Sequence, residues 1–298
     1  MLIIYSIKCG GLPSSVAFEL FDKMVLPILT YGAEIWGANH HKAIEDIQVY
    51  YCKKILGLPA NASNSATLGE CGRYSVYVHS AKMCIKYWLK LLNMPRSRYP
   101  NCCYRMLKRL DEQGKKTWAS GVKELLFRYG FGAVWLEQGV ADERLFIRQF
   151  VMRIKDCCQQ EWYSDIHNSS KLSIYCTFKT MLEPEKYLEY INSWKVKQSL
   201  ARFRCSAHKL AIERGRHSGI LMANRLCSYC EGRDWIVIED EYHFLLICPR
   251  YNELRNKYID SVYTTNVTFD KFIMLMSSND CYTLRKLALF IYHAFKTY

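Results

Sequence analysis

Four residues of metal-binding types stand close together near the end of the chain, in CSYCEGRDWIVIEDEYHFLLIC, residues 227–248. Cys227, Cys230, His243 and Cys248 form the pattern C-x2-C-x12-H-x4-C. Zinc prefers four thiolate or imidazole ligands at the corners of a tetrahedron. A C-x2-C pair on a tight turn supplies two of them, and the H-x4-C pair supplies two more from the first turns of a helix. The spacing therefore predicts a zinc site. Because the protein fills all four positions, the site would stabilise a fold and not catalyse.

Two other interpretations of this segment stay open. The chain has 14 cysteines and 8 histidines, so the order can arise by chance, with the cysteines as core thiols and His243 at the surface. His217 is a further candidate that would replace one of the four ligands. Glu239, Asp240 and Glu241 stand just before His243. We expect one of these carboxylates to accept the free N–H of the imidazole, as outer-shell carboxylates often do at metal sites.

Basic residues are concentrated just upstream, in WKVKQSLARFRCSAHKLAIERGRHSG, residues 194–219. Seven of them stand against the single acid Glu213: Lys195, Lys197, Arg202, Arg204, Lys209, Arg214 and Arg216. If the segment is helical, Leu200, Phe203, Ala207 and Leu210 form an inward stripe, which leaves Lys195, Arg202 and Lys209 on the outer face. Cations arranged in this way pair with successive phosphates. The alternative is a solvated helix face without a partner.

The composition of the whole chain points in the same direction. Half of the 298 residues are hydrophobic, which favours a folded core, and the formal net charge is +13. Such a surplus favours polyanionic partners, nucleic acid before an anionic membrane. The opening residues 1–11 are apolar but too short to span a bilayer and lack a basic start. We therefore expect no membrane partner, an intracellular location in nucleus or cytoplasm, and mostly reduced cysteines.

Motifs of several enzyme classes are absent from the sequence. There is no G-x-x-x-x-G-K-[ST] phosphate-binding loop and no G-x-S-x-G nucleophile turn. Two-metal polymerases and nucleases need clustered carboxylates, but no adjacent aspartate pair occurs. A Cys–His nucleophile pair stays open, although no motif marks one. We expect no catalysis and no small-molecule substrate.

Hydrophobic periodicity of the helical type dominates the chain, so the fold class is mainly α. Pro27 is expected to kink or split the first helical segment, SSVAFELFDKMVLPILTYGAEIWG. The helix KAIEDIQVYYCKKIL should end at Gly57 and Pro59. The best strand signal is DWIVIED, residues 234–240, which predicts a short β-hairpin within the zinc-binding module. The polar, glycine-punctuated stretch at residues 111–121 is a candidate boundary. We expect four segments: 1–112, 113–193, 194–262 and 263–298.

Three stretches in this order resemble one known family. They are residues 26–92, from LPILTYGAEIWG to KMCIKYWLKLL; LARFRCSAHKLAIERGRHSG, residues 200–219; and LCSYCEGRDWIVIEDEYHFLLICPRYNELR, residues 226–255. Together they resemble the C-terminal part of reverse transcriptases from non-LTR (LINE-type) retrotransposons of animals. The resemblance spans most of residues 15–260 and is weakest between about 113 and 190.

The resemblance implies a role for each segment. It implies thumb-like helices in 1–112, a helical connector in 113–193, a zinc-binding tail that grips template RNA or target DNA, and zinc ligation by Cys227, Cys230, His243 and Cys248. Lysines on the thumb-like helices are then candidates for contact with a duplex: Lys53, Lys54, Lys82, Lys86 and Lys90. The catalytic aspartates of the family have no equivalent, which suggests a fragment that binds nucleic acid without catalysis. A host-adopted protein-interaction module and a relic without function are the alternatives.

Overall fold

The computed structural model describes residues 12–298, and the expectations for residues 1–11 lie outside the described residues. The described chain is mainly helical, as the periodicity predicts. Its α-helices are α1 Ser14–Leu20, α2 Leu26–Leu29, α3 Ala33–Trp36, α4 Lys42–Leu56, α5 Asn64–Cys71, α6 Tyr77–Leu92, α7 Tyr99–Glu112, α8 Trp118–Arg128, α9 Gly132–Glu137, α10 Glu143–Asn168, α11 Tyr175–Phe178, α12 Tyr187–Tyr190, α13 Trp194–Arg204, α14 Ala211–His217, α15 Ser228–Glu231, α16 Asn252–Tyr258, α17 Ser261–Thr264, α18 Phe269–Met276 and α19 Cys281–Thr297.

Shorter helical turns of two other kinds join these helices. Three are 3-10 turns, at Ser170–Leu172, Met222–Asn224 and Pro249–Tyr251. Two are π-helical, at Phe21–Val25 and His243–Ile247. π-Helical turns are rare in proteins and often occur at functional sites, and the second of these contains a candidate metal ligand.

Pro27 interrupts the first helical segment in the way that its chemistry requires. A proline inside a helix lacks an N–H donor, and its ring clashes with the carbonyl four residues earlier. The chain responds with the π-helical turn Phe21–Val25 directly before α2, in which the Leu26 N–H donates to the Phe21 carbonyl, five residues back. The predicted disruption is therefore one wider, π-helical turn of the backbone between α1 and α2.

Two compact units can be distinguished by their internal contacts, and one of them consists of Leu20–Gln48 and Tyr74–Glu161. Its core centres on Trp88, which is fully buried and stacks on Trp135 with ring centroids 5.9 Å apart. The Trp88 indole donates to the Tyr104 hydroxyl at 2.9 Å. Phe146 and Phe150 from α10 complete this aromatic core.

The other unit contains Val49–Arg73, Trp162–Tyr298 and the described residues up to Glu19. Helix α13 packs along α19, and α16 packs against the same helix. A cluster of buried rings lies beside this pair and contains Phe203, Phe244, Tyr251 and Phe290. This unit carries all four candidate metal ligands.

A buried ion network also belongs to this second unit. Arg204 donates from Nε to Glu70 and from Nη2 to Glu185, each at 2.8 Å, and its Nη1 donates to the Met276 carbonyl at 2.5 Å. Lys179 pairs with Glu185 at 2.5 Å. Buried charges need partners of this kind because an unpaired one is costly.

The predicted β-hairpin is reduced to one antiparallel bridge, between Leu226 and Ile238, among the described residues. Two backbone bonds flank it, from Cys227 N to the Val237 carbonyl and from Glu239 N to the Arg225 carbonyl, each 2.9 Å. The pairing stops there because neither segment stays extended. The segment after Leu226 enters α15, and the segment after Ile238 leads into the π-helical turn that begins at His243.

No helix among residues 12–298 is both long enough and apolar enough to cross a membrane. The four-segment division drawn from the sequence stays a prediction. The loop at 113–117 joins α7 and α8, whose Tyr104 and Trp118 rings meet edge to face with centroids 6.2 Å apart.

Candidate metal centre

The four residues of the C-x2-C-x12-H-x4-C pattern converge on one buried point. One ligand atom from each of Cys227, Cys230, His243 and Cys248 lies within 4.8 Å of the others. The Cys248 Sγ is 3.9 Å from the Sγ of Cys227 and 3.9 Å from that of Cys230. The Cys230 Sγ is 3.5 Å from Nε2 of His243. This cluster could hold a metal ion, and the arrangement places His243 inside it and not at the surface.

Local backbone structure explains how each pair of ligands is positioned. Cys227 caps the one-turn helix α15, and the Cys230 N–H donates to the Cys227 carbonyl at 3.1 Å. The Trp235 N–H returns to the Cys230 carbonyl at 3.1 Å, which closes the turn. His243 opens the second π-helical turn and Cys248 ends it, because the Cys248 N–H donates to the His243 carbonyl at 2.8 Å. The wide turn brings the two side chains to the same side.

The thiols of the cluster share their protons unequally. Hydrogen bonding from Cys248, assisted by His243, lowers the pKa of Cys227 below its ordinary value. The same hydrogen bond raises the pKa of Cys248, and burial raises that of Cys230. The cluster thus favours a thiolate at Cys227. Thiolates are the form in which cysteine binds metals.

The carboxylates before His243 do not hold its ring, contrary to the sequence expectation. Asp240 accepts from the backbone N–H of His243 at 2.7 Å. Glu239 accepts from the Ala211 N–H, and Glu241 accepts from His208 and Ser206. The buried Nδ1 of His243 has no hydrogen-bond partner among the described residues.

One stabilising residue was not found by sequence reasoning. Arg255 is buried, and its Nη2 donates to the Cys248 carbonyl at 2.9 Å while its Nε donates to the Leu245 carbonyl at 3.0 Å. It therefore fixes the backbone that carries the fourth ligand. Its place in the sequence, two turns after Cys248, gives no signal that separates it from a surface arginine. His217 lies outside the cluster, at the end of α14.

Two of the basic residues expected to contact phosphate are buried, which corrects that expectation for them. Lys197 donates from Nζ to Ser14 Oγ at 3.0 Å and to the Leu188 carbonyl at 2.8 Å. Burial also lowers its pKa. Arg204 is occupied in the ion network described above. Both side chains stabilise the protein interior and cannot reach a ligand in solution from these positions.

The other five basic residues of residues 194–219 reach the surface to different extents. Lys195, Arg202, Lys209 and Arg214 are exposed, and Arg216 is half-buried. Arg202 donates to the Gly57 carbonyl at 2.9 Å, and Arg216 donates to Glu213 at 3.1 Å. Helix α13 ends at Arg204, so Lys209 does not continue the outer face shared by Lys195 and Arg202.

The lysines of residues 53–90 are similarly divided. Lys86 and Lys90 are exposed one turn apart on α6, and Lys82 is half-buried on the same helix. Lys53 is buried and donates to the Ala60 carbonyl at 2.7 Å. Lys54 lies over the Tyr50 ring at 5.0 Å. Their contact with a duplex stays a prediction.

No protein-family model, curated protein or solved structure matches this chain.

Proposed function

We propose that Cys227, Cys230, His243 and Cys248 hold one Zn²⁺ ion. The interatomic distances support this assignment. A regular tetrahedron with Zn–S of about 2.3 Å has S–S edges of about 3.8 Å, and Zn–N of about 2.0 Å gives S–N edges of about 3.5 Å. The corresponding separations are 3.9, 3.9 and 3.5 Å. Three thiolates and one imidazole are also a donor set that zinc favours.

The ion would have a structural role in this proposal. It would join the turn at α15 to the second π-helical turn, which lie on either side of the bridge between Leu226 and Ile238. All four coordination positions are protein ligands, which leaves no open position for a substrate or water. The free energy of binding such an ion is largely free energy of folding.

We further propose that the chain binds RNA or DNA without catalysis. The net charge of +13 and the exposed cations Lys195, Arg202, Lys209 and Arg214 support contact with phosphates. The resemblance to the C-terminal part of non-LTR reverse transcriptases supports the same role, with residues 26–92 as thumb-like helices. In that interpretation Lys86 and Lys90 follow a duplex backbone, and the zinc-binding segment grips template RNA or target DNA.

Binding of labelled RNA and DNA by the full zinc-loaded chain tests this function. We expect affinity to fall with salt, with a log–log slope of about −3 if some four cations contact single-strand phosphates. Cys230→Ser should weaken binding because it removes a ligand, whereas Cys103→Ser, at an exposed cysteine outside the cluster, should not. Absence of binding at low salt would contradict the proposed function.

A protein-interaction module is the second candidate, and one observation favours it. Met24, Ile28, Tyr31 and Ile35 are large apolar residues with 58%, 76%, 88% and 62% of their surface exposed, all within residues 20–48. Exposed apolar residues close together often mark interaction sites. A protein partner whose binding does not depend on salt would support this alternative.

A further inference from the structure

Arginine and tyrosine side chains alternate across the surface of the proposed zinc-binding segment. The guanidinium of Arg233 lies 3.8 Å from the centre of the Tyr229 ring, and that of Arg250 lies 5.9 Å from the same centre. Arg250 is also 5.8 Å from the Tyr298 ring centre, and Arg214 is 5.7 Å from it. We call the row Arg233, Tyr229, Arg250, Tyr298 and Arg214 the Arg–Tyr ladder.

The ladder brings together parts of the chain that are distant in sequence. Tyr229 lies between Cys227 and Cys230, and Arg233 follows that pair. Arg250 follows Cys248, Tyr298 follows α19 and Arg214 lies on α14. The three arginines are exposed and the two tyrosines are half-buried. The row therefore exists only when the turn that carries Cys227 and Cys230 and the turn that carries Cys248 are folded against each other.

Hydrogen bonds fix the order of these side chains. Arg250 donates to the carbonyl of Thr297, and the Tyr298 hydroxyl lies 2.7 Å from Oε2 of Glu239. Arg233 donates from Nη1 to the Tyr229 carbonyl at 3.1 Å. A row that is held in this way loses little side-chain entropy when it binds a ligand.

The charge of the ladder is positive. Its three guanidiniums are joined by the exposed Lys209, whose carbonyl lies 3.1 Å from the Tyr298 hydroxyl. Arg214 is 3.9 Å from the buried Glu239. Glu231 and Asp234 are exposed on the turn that carries Arg233 and offset part of this charge. The row combines planar cations with aromatic rings. This combination suits a polyanion that also carries flat aromatic groups.

We propose that the Arg–Tyr ladder binds single-stranded nucleic acid, with unpaired bases stacked on its guanidinium planes and tyrosine rings and with phosphates paired to the guanidinium N–H groups. This inference rests on the proposed nucleic-acid-binding function. It adds the surface that binds and the class of ligand, which is single-stranded nucleic acid. Aromatic rings and arginine planes stack on unpaired bases, whose faces a duplex conceals. An acidic peptide would use the charges of the ladder but not its rings.

The test is fluorescence anisotropy with the full zinc-loaded chain and labelled oligonucleotides of ~15 nucleotides, as oligothymidylate, oligouridylate and a mixed duplex. The variant Arg233→Ala/Arg250→Ala is compared with Arg148→Ala/Arg153→Ala, which removes the same charge from exposed positions of α10. We expect about tenfold or greater loss of single-strand affinity in the first variant only, since stacking on one residue is worth at least that order. Arg233→Ala alone, at an exposed end of the ladder, replaces the double variant in this test if the double variant loses zinc.

Arg233→Lys separates stacking from charge, because lysine keeps the charge but lacks the plane. We expect it to bind several times more weakly than the wild type. Full binding by the lysine variant would overturn the stacking role.

The remaining outcomes distinguish the ladder from the proposed function. If the wild type binds no oligonucleotide, the proposed function fails, and the ladder inference fails with it. If the wild type binds but the ladder and control variants weaken binding equally, only the ladder inference is overturned. Preference for the duplex, or equal competition by polyglutamate, would also overturn it.

Discussion

Replacement of Arg204 by methionine should reveal how strongly the buried ion network stabilises the unit that carries the four candidate metal ligands. Arg204 is 2% exposed and bonds Glu70, Glu185 and the Met276 carbonyl. Methionine fills a similar volume but leaves the fully buried Glu70 carboxylate without a cation. Glu185 keeps Lys179 as a partner. The cost of the substitution should therefore arise mainly at Glu70.

The magnitude can be worked from the ionisation of Glu70. Burial already raises the pKa of this carboxyl above its ordinary value of 4.5, while Arg204 opposes the rise. Without Arg204, keeping Glu70 neutral at pH 7 costs up to about 3.4 kcal/mol, from 2.5 pH units at 1.36 kcal/mol each, and the raised pKa of the wild type means that part of this cost is already present. The lost bond to Met276 adds about 1 kcal/mol. We expect a loss of about 3–5 kcal/mol, the range found when one partner of a buried pair is removed.

Urea-dependent hydrogen exchange of peptides that cover α5 and α13 measures this local stability directly. At pH 5 the cost should fall to about 2 kcal/mol, because protonating Glu70 then requires little free energy. Glu70→Gln combined with Arg204→Met should recover at least ~2 kcal/mol relative to the sum of the single changes. If Arg204→Met changes the free energy of local unfolding by less than about 0.5 kcal/mol at pH 7, or if its effect does not vary with pH, Arg204 does not stabilise the charge of Glu70 as described.

Three more predictions, two of them with a control substitution, have defined outcomes. Trp88→Ala should destabilise residues 74–161 by about 3–5 kcal/mol in urea unfolding, because it empties a fully buried site. Gly72→Ala should lower the free energy of unfolding by at least ~2 kcal/mol, because φ is +60° and a Cβ would lie 2.2 Å from the backbone nitrogen of Pro184. Gly114→Ala, where φ is +83° but the space is open, should lower it by about 1 kcal/mol in the same assay. Lys195→Ala should reduce the salt slope of RNA binding by about 0.7, whereas Lys197→Met should leave that slope unchanged.

Helices were accessible from sequence because their signals are local. In KAIEDIQVYYCKKIL the apolar spacing and the following Gly57 predict both the helix and its end, and the structure gives Lys42–Leu56 with Gly57 at φ +66°. The Cys and His positions were likewise accessible. Short ligand spacings restrict where the side chains can point, and these four meet in one cluster.

Other features depended on partners distant in sequence. The sequence pattern shows Lys197 and Arg204 only as members of a basic run. It does not indicate that Lys197 bonds Ser14, or that Arg204 pairs with Glu70 and Glu185, in the protein interior. The two π-helical turns were missed because apolar period alone does not distinguish them from α-helix. The Arg–Tyr ladder was missed because Tyr298, α14 and the turns that carry the candidate metal ligands meet only after folding.

Metal content of the purified full chain decides whether Cys227, Cys230, His243 and Cys248 hold zinc. We predict one zinc per chain by elemental mass spectrometry, retained in Cys103→Ser and lost in Cys230→Ser. Three thiolates and one imidazole within 4.8 Å of one another would give zinc a closed tetrahedral site. A folded wild-type chain without zinc, or one that keeps its zinc when Cys230 is replaced, would contradict the account.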